Sequence, residues 1–384
     1  MWMLLCLMLA LVTYSVVGYP LLMALLARWR PQPLRPVAFA GEGLSVVICT
    51  HNSGAQILER VRNLLACRWN GPLEIVIYCD GCTDDTAARL QGLADPRLRV
   101  IEAAERRGKA AGLNAAIPAC AHERVVLGDV RQRFAEDTLE KLVAPFADPQ
   151  VAAVSGLLEI ADSASGGGRG VDFYWRLERQ LREWEGRFDS VIGCTGAVCA
   201  IRRELFEPLP EDTLLDDVVI PMRMAVTGGR IVFEPQARAF DPQVLDPARE
   251  PIRKLRTLVG NYQMIERYPA WLLPWRNRLW WQLISHKYLR LLVPWLLIAI
   301  ALLTLLAAKT ALIWLLLVGQ VLAYGAAAAG LRFPQLRHRL VTLPAGFVLL
   351  QWSCLKALLA YLKHRRDLLA LWRPVSPPAS PPSA

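Results

Sequence analysis

Four short segments carry residue types that chemistry needs. Thr50-His51-Asn52-Ser53-Gly54 follows an apolar run and is small and polar enough to let a nucleotide approach the backbone. Asp80 stands in Cys79-Asp80-Gly81-Cys82-Thr83-Asp84-Asp85-Thr86 as one carboxylate at the carboxyl end of a second apolar run, where open α/β sheets bind ligands. Arg107-Gly108-Lys109-Ala110-Ala111-Gly112-Leu113-Asn114 is a glycine-flanked cation opening a helical segment; it suits a phosphate through the Lys109 charge and the free amides of the helix start. Gly128-Asp129-Val130-Arg131 places a carboxylate right after Val125-Val126-Leu127. A hard divalent cation shared with substrate phosphates takes one or two protein carboxylates, which makes Asp129 a candidate ligand. Each residue has an ordinary alternative: Asp80 and Asp84 suit helix caps, Lys109 a solvated helix start, and Asp129 a turn. Their order and spacing along one framework is the specific signal.

That framework alternates strand and helix. Runs 44–49, 74–79, 98–102, 124–127 and 151–160 are β-rich, and the stretches between them space their apolar residues at about 3.6, as helices do. Such alternation predicts an α/β fold, a parallel sheet with crossover helices. The first two runs are apolar throughout, as expected of strands covered on both faces. After Gly170 come a long amphipathic segment, 171–187, and a mixed α+β stretch that ends in 230–241.

Taken in order, the segments resemble the membrane-bound branch of glycosyltransferase family 2, which includes cellulose, chitin and hyaluronan synthases and ceramide glucosyltransferase. The similarity runs from about Leu44 to Gln263. It implies a GT-A-type mixed, mostly parallel sheet with flanking helices, plus transmembrane helices. It further implies an inverting transfer of a sugar from a nucleotide diphosphate sugar, foremost a UDP-sugar, to a polysaccharide or lipid acceptor, with Mg²⁺ or Mn²⁺. By the resemblance, Asp80 of Asp80-Gly81-Cys82-Thr83-Asp84 contacts the base, Lys109 of Gly108 to Asn114 lies near the nucleotide, and Asp129 matches the first carboxylate of the family's D-x-D metal motif. The second acidic position is Arg131. Either Asp129 holds the ion with the diphosphate alone, or Arg131 adds charge of its own, a fork that suits phosphate. Thr50 and Asn52 complete the expected nucleotide contacts.

On the acceptor side, Ile192-Gly193-Cys194-Thr195-Gly196-Ala197, followed by Arg202 and Arg203, resembles the family's small-residue acceptor loop. Leu215-Asp216-Asp217-Val218 resembles its E-D pair. The resemblance carries the base to Asp217 and leaves Asp216 to cap the following helix or orient the acceptor. The family's Q-x-x-R-W motif has its nearest match in Arg253-Lys254-Leu255-Arg256-Thr257, so Arg253 and Arg256 are expected at the diphosphate. With Thr257 in place of tryptophan, the stacking platform for an acceptor sugar is missing and single transfer is the safer expectation than polymerisation. A catalytically degenerate nucleotide-binding scaffold is the competing reading, since a fold alone never secures a function.

The chain of 384 residues is 54% hydrophobic, which predicts that part of it lies in a membrane. No charge interrupts 2–27, enough to span a bilayer. No basic residue precedes this run and no short small-residue cleavage site lies inside it, unlike a cleaved signal peptide. Arg28, Arg30 and Arg35 follow it, which places the next domain on the cytosolic side of an inner (plasma) membrane. The expected division is a transmembrane helix 1–27, a linker 28–43, a catalytic domain 44–270, an interfacial segment 271–290, two or three spans in 291–362 and a basic, then Pro/Ser-rich tail 363–384. Three crossings would leave the basic Lys363, His364, Arg365 and Arg366 outside, against the same rule. Gln351, Ser353 and Lys356 make the last stretch the one expected to be re-entrant or interfacial. The net charge of +10 clusters at the ends of hydrophobic runs, which points to membrane lipids and not to nucleic acid. Nine cysteines scattered through apolar segments are expected as free thiols, and Cys79 and Cys82 lack the second pair that structural zinc needs.

Overall fold

The computed structural model describes residues 2–34, 41–160, 169–241, 250–307, 310–333, 335–336 and 338–368, with side chains at 160, 169–175 and 250–253 left outside that description. Arg35, Arg337, the Arg253 side chain and the Pro/Ser-rich 374–384 therefore lie outside the described residues. The chain opens with α1 (Trp2–Thr13) and α2 (Tyr19–Trp29), joined by the π-helical turn Tyr14–Gly18. There follow β1 (Leu44–Thr50), α3 (Gly54–Leu65), β2 (Leu73–Asp80), α4 (Thr86–Gln91), β3 (Leu98–Ala103), α5 (Lys109–Ala116) and β4 (Arg124–Gly128). Next come β5 (Arg133–Phe134), α6 (Thr138–Val143), β6 (Val151–Ile160), α7 (Arg169–Phe188), β7 (Val198–Arg202), α8 (Asp216–Val226), β8 (Arg230–Asp241) and α9 (Glu250–Arg267). The last four helices are α10 (Trp280–Leu283), α11 (Leu289–Leu306), α12 (Ala311–Arg332) and α13 (Arg339–His364).

One eight-stranded sheet runs β3-β2-β1-β4-β7-β6-β8-β5. Strand β1 pairs in parallel with β2 and β4, β2 with β3, and β6 with β8. The sheet is mixed and not purely parallel, because β7 enters antiparallel between β4 and β6, and β5 pairs antiparallel with β8. Strand β7 is Val-Cys-Ala-Ile-Arg, buried throughout; a run so short shows no periodicity from which its direction could be read. Both faces are covered. Val46, Ile48, Ile75, Ile77 and Val126 pack under one helical layer, and Val47, Val76, Val125 and Leu127 face the other with Leu113, Val218 and Met264. Each such side chain contributes about 1.5–3 kcal/mol relative to exposure. Order reverses at β1, with β2 on one side and β4 on the other, so the crevice of an open α/β sheet lies at their carboxyl ends.

Among the described residues four helical segments are long and apolar enough to cross a membrane: Trp2–Trp29, Trp280–Leu306, Ala311–Arg332 and Arg339–His364. Their outward residues, among them Leu302, Leu305, Leu315 and Leu322, are exposed leucines, a surface suited to lipid rather than water. The second of these segments begins at Trp280 rather than near 291, because α10 runs through the π-helical turn Ile284–Tyr288 into α11. The final turns of α13 lie against the soluble domain: Tyr361 stacks on Tyr262 of α9 at 5.9 Å, and Arg365 pairs with Glu266.

Candidate active site

Three loops meet at the crevice, and short-range bonds hold them together. After β1, Asn52 turns the chain with a φ of 49°. Its Oδ1 accepts the Thr83 N–H at 2.8 Å and its Nδ2 donates to Thr83 Oγ1 at 3.0 Å. Thr50 is buried, and among the described residues its hydroxyl has no hydrogen-bond partner. Asp84 does act as a cap: its Oδ2 accepts the first N–H of α3, from Gly54, at 3.1 Å. The Thr86 hydroxyl and these amides hold its carboxyl below the usual range. Asp80 instead accepts the N–H groups of Arg107 at 2.7 Å and Gly108 at 2.9 Å, one on each oxygen. It thereby folds the loop that precedes α5 down onto β2. Gly81 permits this approach, with a φ of +58° and a would-be Cβ 2.4 Å from the Arg106 nitrogen.

Lys109, the first residue of α5, carries its ammonium into the centre of the crevice. It donates to Asp129 Oδ1 at 3.0 Å and lies 3.2 Å from Asp216 Oδ2. Burial opposes its charge, yet Asp129 and then Asp216 hold the ammonium well above its ordinary value. Asp216 and Asp217 form the first turn of α8, where backbone amides favour negative charge. Asp217 is pushed up to about 6, first by burial and then by the like charge of Asp216, with Lys109 pulling the other way. A carboxylate that titrates near neutrality is what general-base work asks for.

Several further contacts hold Asp217 in place. The Asp217 carbonyl accepts the Cys194 N–H at 2.7 Å, and a Cβ on Gly196 would stand 3.1 Å from the Asp217 Cβ. The small-residue loop thus packs directly on Asp217. Gly193 turns that loop with a φ of +81°, a region open to glycine. Asn114 of α5 exchanges two 2.7 Å bonds with Leu209, and Gln263 of α9 accepts the Leu214 N–H at 3.0 Å while donating to the Asp212 carbonyl at 2.8 Å. These bonds fix the strand-free segment that delivers Asp216 and Asp217. Arg182 of α7 grips the loop from the other side, donating to Thr195 Oγ1 at 2.8 Å and Ser155 Oγ at 2.7 Å. Asn114 and the loop of Gly193, Cys194, Thr195 and Gly196 lay in segments that the sequence singled out; Gln263 and Arg182 carry no local signal beyond a polar residue on an amphipathic helix.

Not every expected residue reaches the centre. Arg131 turns to the buried Asp241 at the end of β8, which also accepts from Gln132 at 3.1 Å. The residue at the second D-x-D position is thus part of an ion pair. Arg202 and Arg203 are spent on backbone carbonyls, Arg202 on Val151, Phe146 and Asp148, and Arg203 on Cys120. Arg256 lies on α9, two turns before Gln263. No three His, Cys, Asp or Glu side chains among the described residues converge as a metal centre. Asp129 nonetheless fits a hard divalent ion: it is 42% exposed, faces the crevice and spends one oxygen on Lys109. A cation that keeps several waters and leans on substrate phosphates needs no more than one or two such carboxylates.

A mixed sheet with an acidic and basic crevice at its switch point, carried on apolar helices, defines a GT-A-type membrane-associated protein. Residues 45–209 match Glycosyl transferase family 2, and the chain carries a domain of that family. It is 28% identical over 172 residues to an N-acetylglucosaminyltransferase of Azorhizobium caulinodans, across 43% of each chain. It is 26% identical over 235 residues to an N-acetylglucosaminyltransferase of Rhizobium meliloti, across 56% of this chain and 55% of that one. The chain thus spans about half the length of these curated relatives, or less. Among solved structures it is similar to the mannosyltransferase PcManGT from Pyrobaculum calidifontis in complex with GDP-Man and Mn²⁺: TM-score 0.70, 25% identity, 94% of this chain and 99% of that one. These likenesses reach the family without singling out its cellulose and hyaluronan synthase branch.

Proposed function

We propose that this chain is an inverting glycosyltransferase that moves one sugar from a nucleotide diphosphate sugar to a hydroxyl of a lipid or polysaccharide acceptor at the cytosolic membrane face. The observation that carries the reading is Lys109 bridging Asp129 and Asp216 beside a base-like Asp217. Thr50 and the loops of Asn52 and Asp80 line the nucleotide side, and Lys109 faces the departing diphosphate, where fixed positive charge acts on the charge that develops in the transition state. Mg²⁺ or Mn²⁺ at Asp129, when bound, would supply further charge stabilisation of that diphosphate. As the acceptor oxygen bonds to the anomeric carbon, the bond from that carbon to the diphosphate oxygen breaks. The hydroxyl proton passes to Asp217. A single displacement inverts the centre.

The contact of α13 with α9 supports the membrane side of this reading. The basic 363–366 end and the soluble domain share a face, which supports a topology in which the three carboxyl-terminal apolar helices cross an even number of times and one of them does not traverse. That satisfies the rule that basic residues stay inside.

The test is transfer by the detergent-purified chain supplied with labelled UDP-N-acetylglucosamine, other UDP-sugars and GDP-mannose, with Mn²⁺ and a membrane lipid extract. Expected are nucleoside diphosphate release and a lipid product enlarged by one sugar, with loss of about 10²–10⁴-fold in Asp217→Asn. A long-chain ladder would overturn single transfer, and an Asp217→Asn chain at the native rate would overturn the base. The Arg131–Asp241 pair favours a second reading, a nucleotide-binding scaffold without turnover; donor binding with no release under any donor would establish it.

A further inference from the structure

The side of the crevice that faces the membrane helices carries positive charge that donor chemistry does not use. Among the described residues Arg182 donates only to neutral groups, the Thr195 and Ser155 hydroxyls and the Gly193 carbonyl, and it lies over the Phe233 ring at 5.0 Å. Lys287 enters from the π-helical turn Ile284–Tyr288, and its charge bears on both Asp217 and Glu178. Both side chains are half-buried, and among the described residues neither has a carboxylate within 4.0 Å.

The nearby acids are engaged elsewhere. Glu178 holds Arg290 at 2.8 Å and His286 at 2.6 Å, and Glu185 holds His286 at 2.7 Å and the Tyr19 hydroxyl at 2.6 Å. Arg182 and Lys287 are therefore cations with no carboxylate in direct contact, in a partly desolvated place, and holding them there is costly. Their position is informative. Thr195, gripped by Arg182, belongs to the loop whose Gly196 packs on Asp217, whereas Lys109 and Asp129 lie on the nucleotide side of that carboxylate pair. Lys287 comes from the helix that leads into the apolar α11.

Building on the transfer reaction above, we propose that Arg182 and Lys287 bind a phosphate group carried by a lipid-linked acceptor, seating it between Asp217 and the membrane. A guanidinium fork and an ammonium together match phosphate oxygens. The phosphate is a handle and forms no new bond: the attacked hydroxyl lies elsewhere on the acceptor, on the Asp217 side. An acceptor entering from the bilayer with its phosphate so held would present its hydroxyls to the base.

The test measures binding to the full chain in dodecyl maltoside micelles, which carry no phosphate. The probes are dodecyl phosphate, dodecanol as its neutral counterpart, and inorganic phosphate. Dodecyl phosphate is expected to bind at least tenfold more tightly than dodecanol, a comparison that needs no variant. Lys287→Gln is expected to weaken dodecyl phosphate at least fivefold and Lys287→Arg to restore most of the loss, with nucleotide diphosphate affinity within twofold throughout. Equal binding of dodecyl phosphate and dodecanol, or an unchanged affinity in a folded Lys287→Gln chain, would overturn the proposal. Inorganic phosphate bound as tightly as dodecyl phosphate would also overturn it, by assigning the cations to a soluble anion. Failure of the transfer reaction shows separately, as absent nucleotide-sugar turnover in the unaltered chain.

Discussion

Replacing Asp216 with asparagine should move the acid limb of the transfer rate to lower pH. In the native chain Asp217 stands at about 6, raised first by burial and then by Asp216. A base at that value is about 91% ionised at pH 7 and about 9% at pH 5, so kcat/KM should fall about tenfold between them. An aspartate near its ordinary value of about 3.9 would lose less than about a tenth over the same range. Asp216→Asn acts twice in one direction. It removes the like charge that disfavours the ionised base, and it releases Lys109, now 3.2 Å from Asp216, toward Asp217. Both changes stabilise the ionised carboxylate, so the variant should keep most of its own pH 7 rate at pH 5, whatever its plateau. The assay is labelled-sugar transfer across pH 4.5–8 at saturating metal, with each profile normalised to its plateau. A limb that stays in place, or moves up, would refute the assignment of Asp217 as the group that titrates and of Asp216 as the cause.

Lys109→Met should do the opposite, because Lys109 favours the ionised form of Asp217: the acid limb shifts up and the KM for the sugar nucleotide rises, both read from the same profiles. Arg131→Ala leaves Asp241 buried with Gln132 still bonded to it, which should cost about 1–3 kcal/mol of stability, measured by thermal or denaturant unfolding; an unchanged transition would show that the pair is not holding the β4–β8 corner. A cysteine placed in the 363–368 segment should react with an impermeant thiol reagent in inside-out or opened membranes and not in intact cells, as expected of the catalytic domain's side; labelling in intact cells would overturn the even number of crossings.

The crevice was legible because its parts obey local rules. A strand with apolar residues on both faces, a polar turn at its end and a helix to follow put Thr50, Asn52, Asp80, Lys109 and Asp129 at one edge before any pairing is known. The Asp216-Asp217 pair was visible only through resemblance, since acidic residues at a helix start are common and carry no chemistry by themselves. Gln263, Arg182, Lys287 and Asp241 could not be found that way. Each comes from a segment far along the chain, and its role exists only once helices α7, α9 and α11 have docked. The direction of β7 was hidden for a related reason: pairing direction depends on how the chain returns to the sheet, and five buried residues carry no record of that route.

The same docking explains why the span beginning at Trp280 reads from hydropathy as starting near 291. Ser285, His286, Lys287 and Arg290 interrupt the apolar run, and by composition they belong at a surface. In the folded chain His286 is 2% exposed and its two ring nitrogens lie 2.7 Å from Glu185 and 2.6 Å from Glu178, with Tyr19 of α2 closing on Glu185. His286 and Arg290 hold Glu178 well below the usual carboxylate range against the effect of burial. Breaking one partner out of such a buried network costs about 3–5 kcal/mol, because a charge is left without its counter-ion. The amphipathic α7 is therefore fastened at once to the first membrane helix and to the helix that leads into α11, and through Arg182 it is fastened to the loop on which Asp217 rests. The apolar helices and the loop that packs on Asp217 are thus parts of one packed unit, joined through α7.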